Sequence, residues 1–183
     1  MKETWQVILS GVGGQGLMLA GKLLGDAVTA YEGKNAVMTS AYGVETRGTF
    51  AKSDVIVSSG EIDYPEVLEA DIVIALAPVA YKKYADSLEE GVLLLYDDGI
   101  EAMPSRARQI GIPVSKIARS AGNPSAVNIV ALGALVKLTG MAEAQSVESA
   151  IREEFKGKEK LLCLNLKAFR GGLEAAADLK TIN

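Results

Sequence analysis

Trp5-Gln6-Val7-Ile8-Leu9-Ser10, running directly into Gly11-Val12-Gly13-Gly14-Gln15-Gly16, is the stretch that decides the fold. Its first half is apolar and rich in β-branched residues, the composition of a buried strand. Beyond it Leu17, Ala20, Leu24, Ala27, Val28 and Tyr31 recur at helical spacing, so the glycines occupy a strand-to-helix turn. Glycine serves such a turn twice. It adopts backbone angles closed to other residues, and it lets a ligand approach the amides of the helix N-terminus, whose partial positive charge favours an anion. The spacing Gly11-x-Gly13-x-x-Gly16 matches the dinucleotide fingerprint in its proper context. An NAD site also needs an acidic residue about 20 positions onward, at the end of the second strand, to bind the ribose hydroxyls. That region reads Ala36-Val37-Met38-Thr39-Ser40-Ala41-Tyr42, and Glu32 precedes it. The loop therefore reads equally as a dinucleotide site, a tight turn or a subunit contact.

Outward from this turn, apolar runs place strands near residues 6–9, 36–40, 55–58, 72–76, 92–96 and 112–114. Helical patterns fall at 16–32 and 81–88, with one short turn at 65–69; Pro78 suits a helix start. The alternation predicts an α/β sandwich with a mostly parallel sheet. Past residue 120 the strands stop. Asn123-Pro124 reads as a cap followed by a helix-initiating proline, Val127, Val130, Ala131, Ala134, Leu135 and Leu138 form an apolar stripe, and Gly140 ends it. Ser146 is expected to cap a second helix through Phe155. A third runs from 164 to 179, with Gly171-Gly172 as a point of interruption. No repeat or linker divides the chain, so residues 1–183 read as one domain with a helical C-terminal third.

Inside the first helix, Gly21 and Gly25 each cost roughly 1 kcal/mol against alanine, which close packing of that face must offset. Tyr42-Gly43-Val44-Glu45-Thr46-Arg47-Gly48 leaves the second strand beside the first loop. Ligands favour the crevice outside the carboxyl ends of strands in an open α/β sheet, and both loops would share it. Arg47 offers a permanent cationic fork for carboxylate or phosphate, which Glu45 can orient, while Gly43 and Gly48 allow sharp bends. The bland reading is a surface loop with a weak Glu–Arg pair. Asp97-Asp98-Gly99 reads as a turn rather than a metal pair. Asn128, one turn into an apolar helix, is placed to hydrogen-bond a neighbouring loop or partner.

Composition removes further classes. The 183 residues carry a net charge of −4, which argues against a general nucleic-acid binder. Cysteine occurs once, as Cys163, and histidine not at all, so neither an iron–sulfur cluster, a catalytic zinc nor a histidine-based triad can be built from this chain alone. Cys163, within Leu161-Leu162-Cys163-Leu164, reads as a small buried apolar residue. A lone thiol, no apolar leader and no run long enough for a membrane span together point to the cytoplasm.

The glycine loop at residues 11–16, the Tyr42-to-Gly48 loop, and Asn123-Pro124 with Asn128-Ile129-Val130-Ala131-Leu132-Gly133-Ala134 resemble, in order and spacing, the gamma subunit of 2-oxoacid:ferredoxin oxidoreductases. Phe169-Arg170-Gly171-Gly172 extends the likeness over nearly the whole chain. The family often has proline where Val44 stands and a second glycine where Thr49 stands. The resemblance implies a Rossmann-like three-layer sandwich within a complex that oxidatively decarboxylates a 2-oxoacid, forms an acyl-CoA and passes electrons to ferredoxin. It further implies alpha and beta subunits holding thiamine diphosphate, and a ferredoxin-like delta subunit or domain holding iron–sulfur clusters. The gamma-type chain would aid assembly and close over the coenzyme A side of the site. On this reading Gly11, Gly13, Gly14, Gln15, Gly16, Tyr42, Glu45, Arg47, Gly48 and Asn128 are the candidate binding residues, with no catalytic or metal-ligating residue in the chain. The substrate stays open among 2-oxoglutarate, pyruvate, branched-chain oxoacids and indolepyruvate. A stand-alone NAD(P)-dependent oxidoreductase and a non-catalytic scaffold are the competing readings.

Overall fold

The computed structural model describes residues 2–42 and 49–179, and of Tyr42 the backbone only. In chain order it comprises β1 (Thr4–Val12), α1 (Leu17–Glu32), β2 (Asn35–Tyr42), β3 (Phe50–Ser58), β4 (Ile72–Ala75), α2 (Pro78–Ser87), β5 (Leu93–Asp97) and β6 (Arg108–Ile112). Four helices follow: α3 (Val114–Ser120), α4 (Val127–Thr139), α5 (Ala144–Glu154) and α6 (Glu159–Ala175).

The sheet runs β2-β3-β1-β4-β5-β6. Strands β1, β4, β5 and β6 pair in parallel, whereas β3 lies antiparallel between β1 and β2. Side chains alternate between the two faces as the pleat requires. Val7, Leu9, Ile72, Ile74, Leu93 and Leu95 join the large core beneath α1 and α3 to α6, while Ile8, Val73, Ala75 and Leu94 join a smaller one with Ala80, Tyr81 and Tyr84 of α2. Helices thus cover both faces, giving the expected three-layer α/β architecture.

Helix α4 is buried nearly all round, and its apolar run is a core helix. No helix among the described residues is long and apolar enough to cross a membrane. Helix α6 passes unbroken through Gly171 and Gly172, against the expected interruption, because glycine is what the crossing with α4 demands. A Cβ on Gly172 would stand 2.0 Å from the Val130 carbonyl oxygen, and one on Gly133 2.2 Å from that of Phe169. The two backbones touch through both positions. Gly21 plays the same part against the sheet, where a Cβ would meet Met38 Sδ at 2.8 Å and Val55 at 3.0 Å; Gly25 is looser, 3.8 Å from Ala36.

Other elements differ in detail. The last strand ends at Ile112 instead of beginning there, and residues 65–69 form no helix. Helix α5 begins at Ala144, with no side-chain cap of its own. Its first amide, that of Glu143, donates to Glu32 Oε1 at 2.8 Å, so the end of α1 caps it from outside. Burial opposes ionisation of Glu32, but hydrogen bonds from Lys34, the Glu143 amide and Ser146 outweigh it and hold the carboxyl below its usual range. Cys163 is exposed, contrary to the expected burial. Helix α6 turns Asn165, Leu166, Ala168, Phe169 and Gly172 inward, which puts Cys163 on the solvent side.

Candidate functional site: a latched glycine loop at the end of β1

Strand β1 ends at Val12, and the chain reverses through Gly13 to Gly16 into α1. Gly14 and Gly16 have φ of +98° and +71°, a region that favours glycine, and Gly16 is the residue preceding the helix. Gln15 folds back over the turn. Its Oε1 accepts the Val12 amide at 2.8 Å, and its Nε2 donates to the Leu76 carbonyl at 2.8 Å, just past β4. Gly11 makes room for that arm, since a Cβ there would lie 2.2 Å from Gln15 Oε1. The side chain consequently bridges the ends of β1 and β4, where the chain leaves β1 in one direction and β4 lies in the other. That is the switch point at which open α/β sheets take their ligands.

A second tie comes from far along the sequence. Asn128, buried near the start of α4, donates through Nδ2 to the Gly16 carbonyl at 2.9 Å. A Cβ on Gly16 would sit 2.5 Å from that nitrogen, so glycine is required here by space as well as by φ. A third tie joins the other loop: the Gly13 amide donates to the Thr49 carbonyl at 3.1 Å. Backbone pairing of Tyr42 with Ala51, and of Val12 with Phe50, brings the departure and return of the second loop to the same sheet edge as the first. Glu45, Arg47 and Gly48 lie outside the described residues, as does the Tyr42 side chain.

Exposed Gly13 and Gly14 open onto a cleft of about 350 Å³, walled by Leu17 to Leu19 of α1 and by Ala51 and Lys52 of β3. Lys52 and Asp54 are residues the sequence reading passed over, because it began this strand at Val55. They form an ion pair on β3, and Asp54 Oδ1 has no hydrogen-bond partner among the described residues. Burial, reinforced by the Asp54 charge, pushes the phenol of Tyr84 up to about 12. Lys83 stands 4.1 Å from the Phe50 ring centroid on the same side. Lys52, Ser53 and Asp54 are three polar residues in a row, so no apolar alternation marks this half of the strand.

Among the described residues no three carboxylates, thiols or imidazoles gather as a metal site. Asp97 instead accepts the Ser115 hydroxyl and, at 3.4 Å, the Gly99 amide, as a turn residue does. Nor does the geometry suit NAD. In the dinucleotide fold the strand beside β1 runs parallel to it and ends in the ribose-binding acid. Here that neighbour is the antiparallel β3, which begins at the site with Phe50-Ala51-Lys52, and Gln15 already bridges the switch point.

The family model for pyruvate ferredoxin/flavodoxin oxidoreductase matches residues 6–175. The chain is 41% identical to the 2-oxoglutarate synthase subunit KorC of Methanocaldococcus jannaschii, with 98% of this chain and 97% of that protein covered. Among solved structures it superposes on the gamma subunit of a keto/oxoacid ferredoxin oxidoreductase from Geobacter sulfurreducens, with a TM-score of 0.83, 36% identity and coverage of 96% and 97%. It also matches a 2-oxoglutarate:ferredoxin oxidoreductase from Magnetococcus marinus, solved with 2-oxoglutarate, coenzyme A and succinyl-CoA bound. There the TM-score is 0.89 at 26% identity, and all of this chain corresponds to 32% of that longer one. On the family match over residues 6–175 and these full-length likenesses, the chain belongs to the pyruvate ferredoxin/flavodoxin oxidoreductase family, as a gamma-type subunit of a 2-oxoacid:ferredoxin oxidoreductase.

Proposed function

We infer that this gamma-type chain works in a complex that converts 2-oxoglutarate to its acyl-CoA, where it supports assembly and closes over the coenzyme A side of the site. The observation that carries the substrate is the 41% identity, over 98% of the chain, to a 2-oxoglutarate synthase subunit. The partners in this proposal are alpha and beta subunits holding thiamine diphosphate, a ferredoxin-like subunit or domain holding iron–sulfur clusters, and ferredoxin as electron acceptor, all in the cytoplasm. The donor set supports that division. With one exposed cysteine and no histidine, the chain offers no ligand quartet for a cluster.

Coenzyme A supplies a thiol acceptor at one end and phosphates at the other. In our reading the exposed turn at Gly14, at the positive end of α1, faces an anionic group, and Arg47 completes the clamp. Gln15 and Asn128 hold the loop in register without touching the ligand. Exchanging Arg47 for Ala in the reconstituted complex should raise the KM for coenzyme A while leaving that for 2-oxoglutarate unchanged. Unaltered coenzyme A kinetics in a normally assembled complex would reject the clamp and leave the chain a scaffold.

A further inference from the structure

The helical third carries a second feature on a different part of the molecule. Helices α3 and α6 enclose an open groove of about 610 Å³, floored by the half-buried Ile117, Gly171 and Ala175. Gly171 sets its depth: a Cβ there would stand 2.6 Å from Ile117 Cγ2, so α3 and α6 meet at this point and the groove opens above them. Lys116 and Lys167 line the walls, with Glu174 beyond, two turns along α6 from Lys167.

Some cations of this chain are held by carboxylates and others are not. Elsewhere Lys22, Lys34, Arg106, Arg152 and Arg170 each pair with a carboxylate. Lys116, Lys167 and neighbouring Arg119 have no ion-pair partner among the described residues, as is true of several other lysines such as Lys82 and Lys137; what the groove adds is that two such cations face each other across an apolar floor. An apolar floor between unpaired cations, with a single anion at one end, is the complement of an amphipathic helix of defined polarity. Such a helix seats apolar side chains at i, i+3, i+4 and i+7 in the groove. From Lys167 to Glu174 the groove runs about 10 Å, two helical turns.

We propose that this groove docks an acidic amphipathic helix of a partner subunit, with carboxylates against Lys116 and Lys167 and a basic residue two turns along against Glu174. The proposal rests on the reading of this chain as a subunit of a larger enzyme. Complementary charge of this kind sets register and encounter rate, and screens with salt.

The test uses the full chain co-expressed with the other subunits, one of which carries the affinity tag. The paired Lys116→Glu and Lys167→Glu variant should be retained about ten-fold less than wild type at about 0.1 M salt. The corresponding Gln pair should fall between the two, and neither pair should change the thermal midpoint of the isolated chain. A photo-crosslinker at Ser120 should attach to a partner segment with acidic residues flanking apolar ones at helical spacing. Equal retention of the Glu pair, cross-linking to a segment without acids, or altered coenzyme A affinity with intact assembly would each overturn the groove assignment. Failure of the wild-type chain itself to be retained would overturn the subunit reading, and the proposal with it.

Discussion

Two glycines in helices should respond to the same substitution with opposite signs. At Gly172 of α6, a Cβ would lie 2.0 Å from the Val130 carbonyl oxygen and 3.1 Å from the Ala134 amide nitrogen. Both are backbone atoms of the buried helix α4, so neither can rotate away, and the two helices must separate along their shared crossing. Forcing an extra carbon into a packed core costs about 1–3 kcal/mol, and a rigid backbone obstacle places this case at or beyond the upper end. The intrinsic preference of alanine over glycine in a helix returns about 1 kcal/mol. The net loss for Gly172→Ala is therefore about 2–3 kcal/mol, and at about 2–4 °C per kcal/mol for a chain of this size the midpoint falls by about 5–10 °C. At Gly25 of α1 the nearest obstacle is the Ala36 methyl at 3.8 Å, an ordinary contact. Gly25→Ala should keep the propensity gain of about 0.4–1 kcal/mol and raise the midpoint by about 1–4 °C. Calorimetry or urea titration of the two purified variants checks both. Shifts of the same sign, or a Gly172→Ala variant as stable as wild type, would refute the claim that backbone contact sets the distance between α4 and α6.

Gln15→Ala strips the Val12 amide and the Leu76 carbonyl of their partner and should cost about 1–3 kcal/mol in urea titration, with faster hydrogen exchange at Val12; unaltered protection there would deny the latch. The fork of Arg170 on Glu148, at 2.7 Å to each oxygen, holds that carboxyl below its ordinary range, chiefly by hydrogen bonding and against a smaller effect of burial. Because the native value is the lower one, this stabilisation is present at neutral pH and is lost as pH falls through it. Arg170→Gln should thus lower the unfolding free energy slightly at pH 7, by no more than about 1 kcal/mol for so exposed a pair, and the deficit should vanish in acid, as urea titration at the two pH values would show. Cys163 should react with a water-soluble disulfide reagent in the native chain as fast as after denaturation, and slow native labelling would contradict its place on the outer side of α6.

What could be read in the sequence was whatever local chemistry fixes. The helix after Gly16 and the stop at Gly140 follow from apolar period and left-handed backbone demands and stand where the pattern put them, whereas the first strand runs on past Leu9 through Gly11 to Val12. Asn128, placed to bond a neighbouring loop, reaches the Gly16 carbonyl across 112 positions, yet its partner could not be named because only the tertiary path of α4 supplies it. The direction of β3 was not legible. Lys52, Ser53 and Asp54 interrupt the apolar signal, and nothing in period-two alternation records whether a neighbour runs parallel or antiparallel. Gly171-Gly172 misled for a related reason: propensity counts glycine against a helix, while the α4 crossing requires it. Cys163 sits among leucines in the sequence, but a helix separates neighbours by face.

The antiparallel course of β3 has a bearing on how this fold can diversify. The chain leaves the sheet at Tyr42 and is back in it at Phe50, with Tyr42 paired to Ala51, Phe50 to Val12, and Thr49 fastened to Gly13. The strand ends on either side of residues 43–48 are therefore anchored by hydrogen bonds between described residues, which do not depend on what joins them. Grafting the corresponding segment from a relative that uses a different 2-oxoacid is thus a route to changing what this edge of the sheet meets, while the sheet itself is left alone.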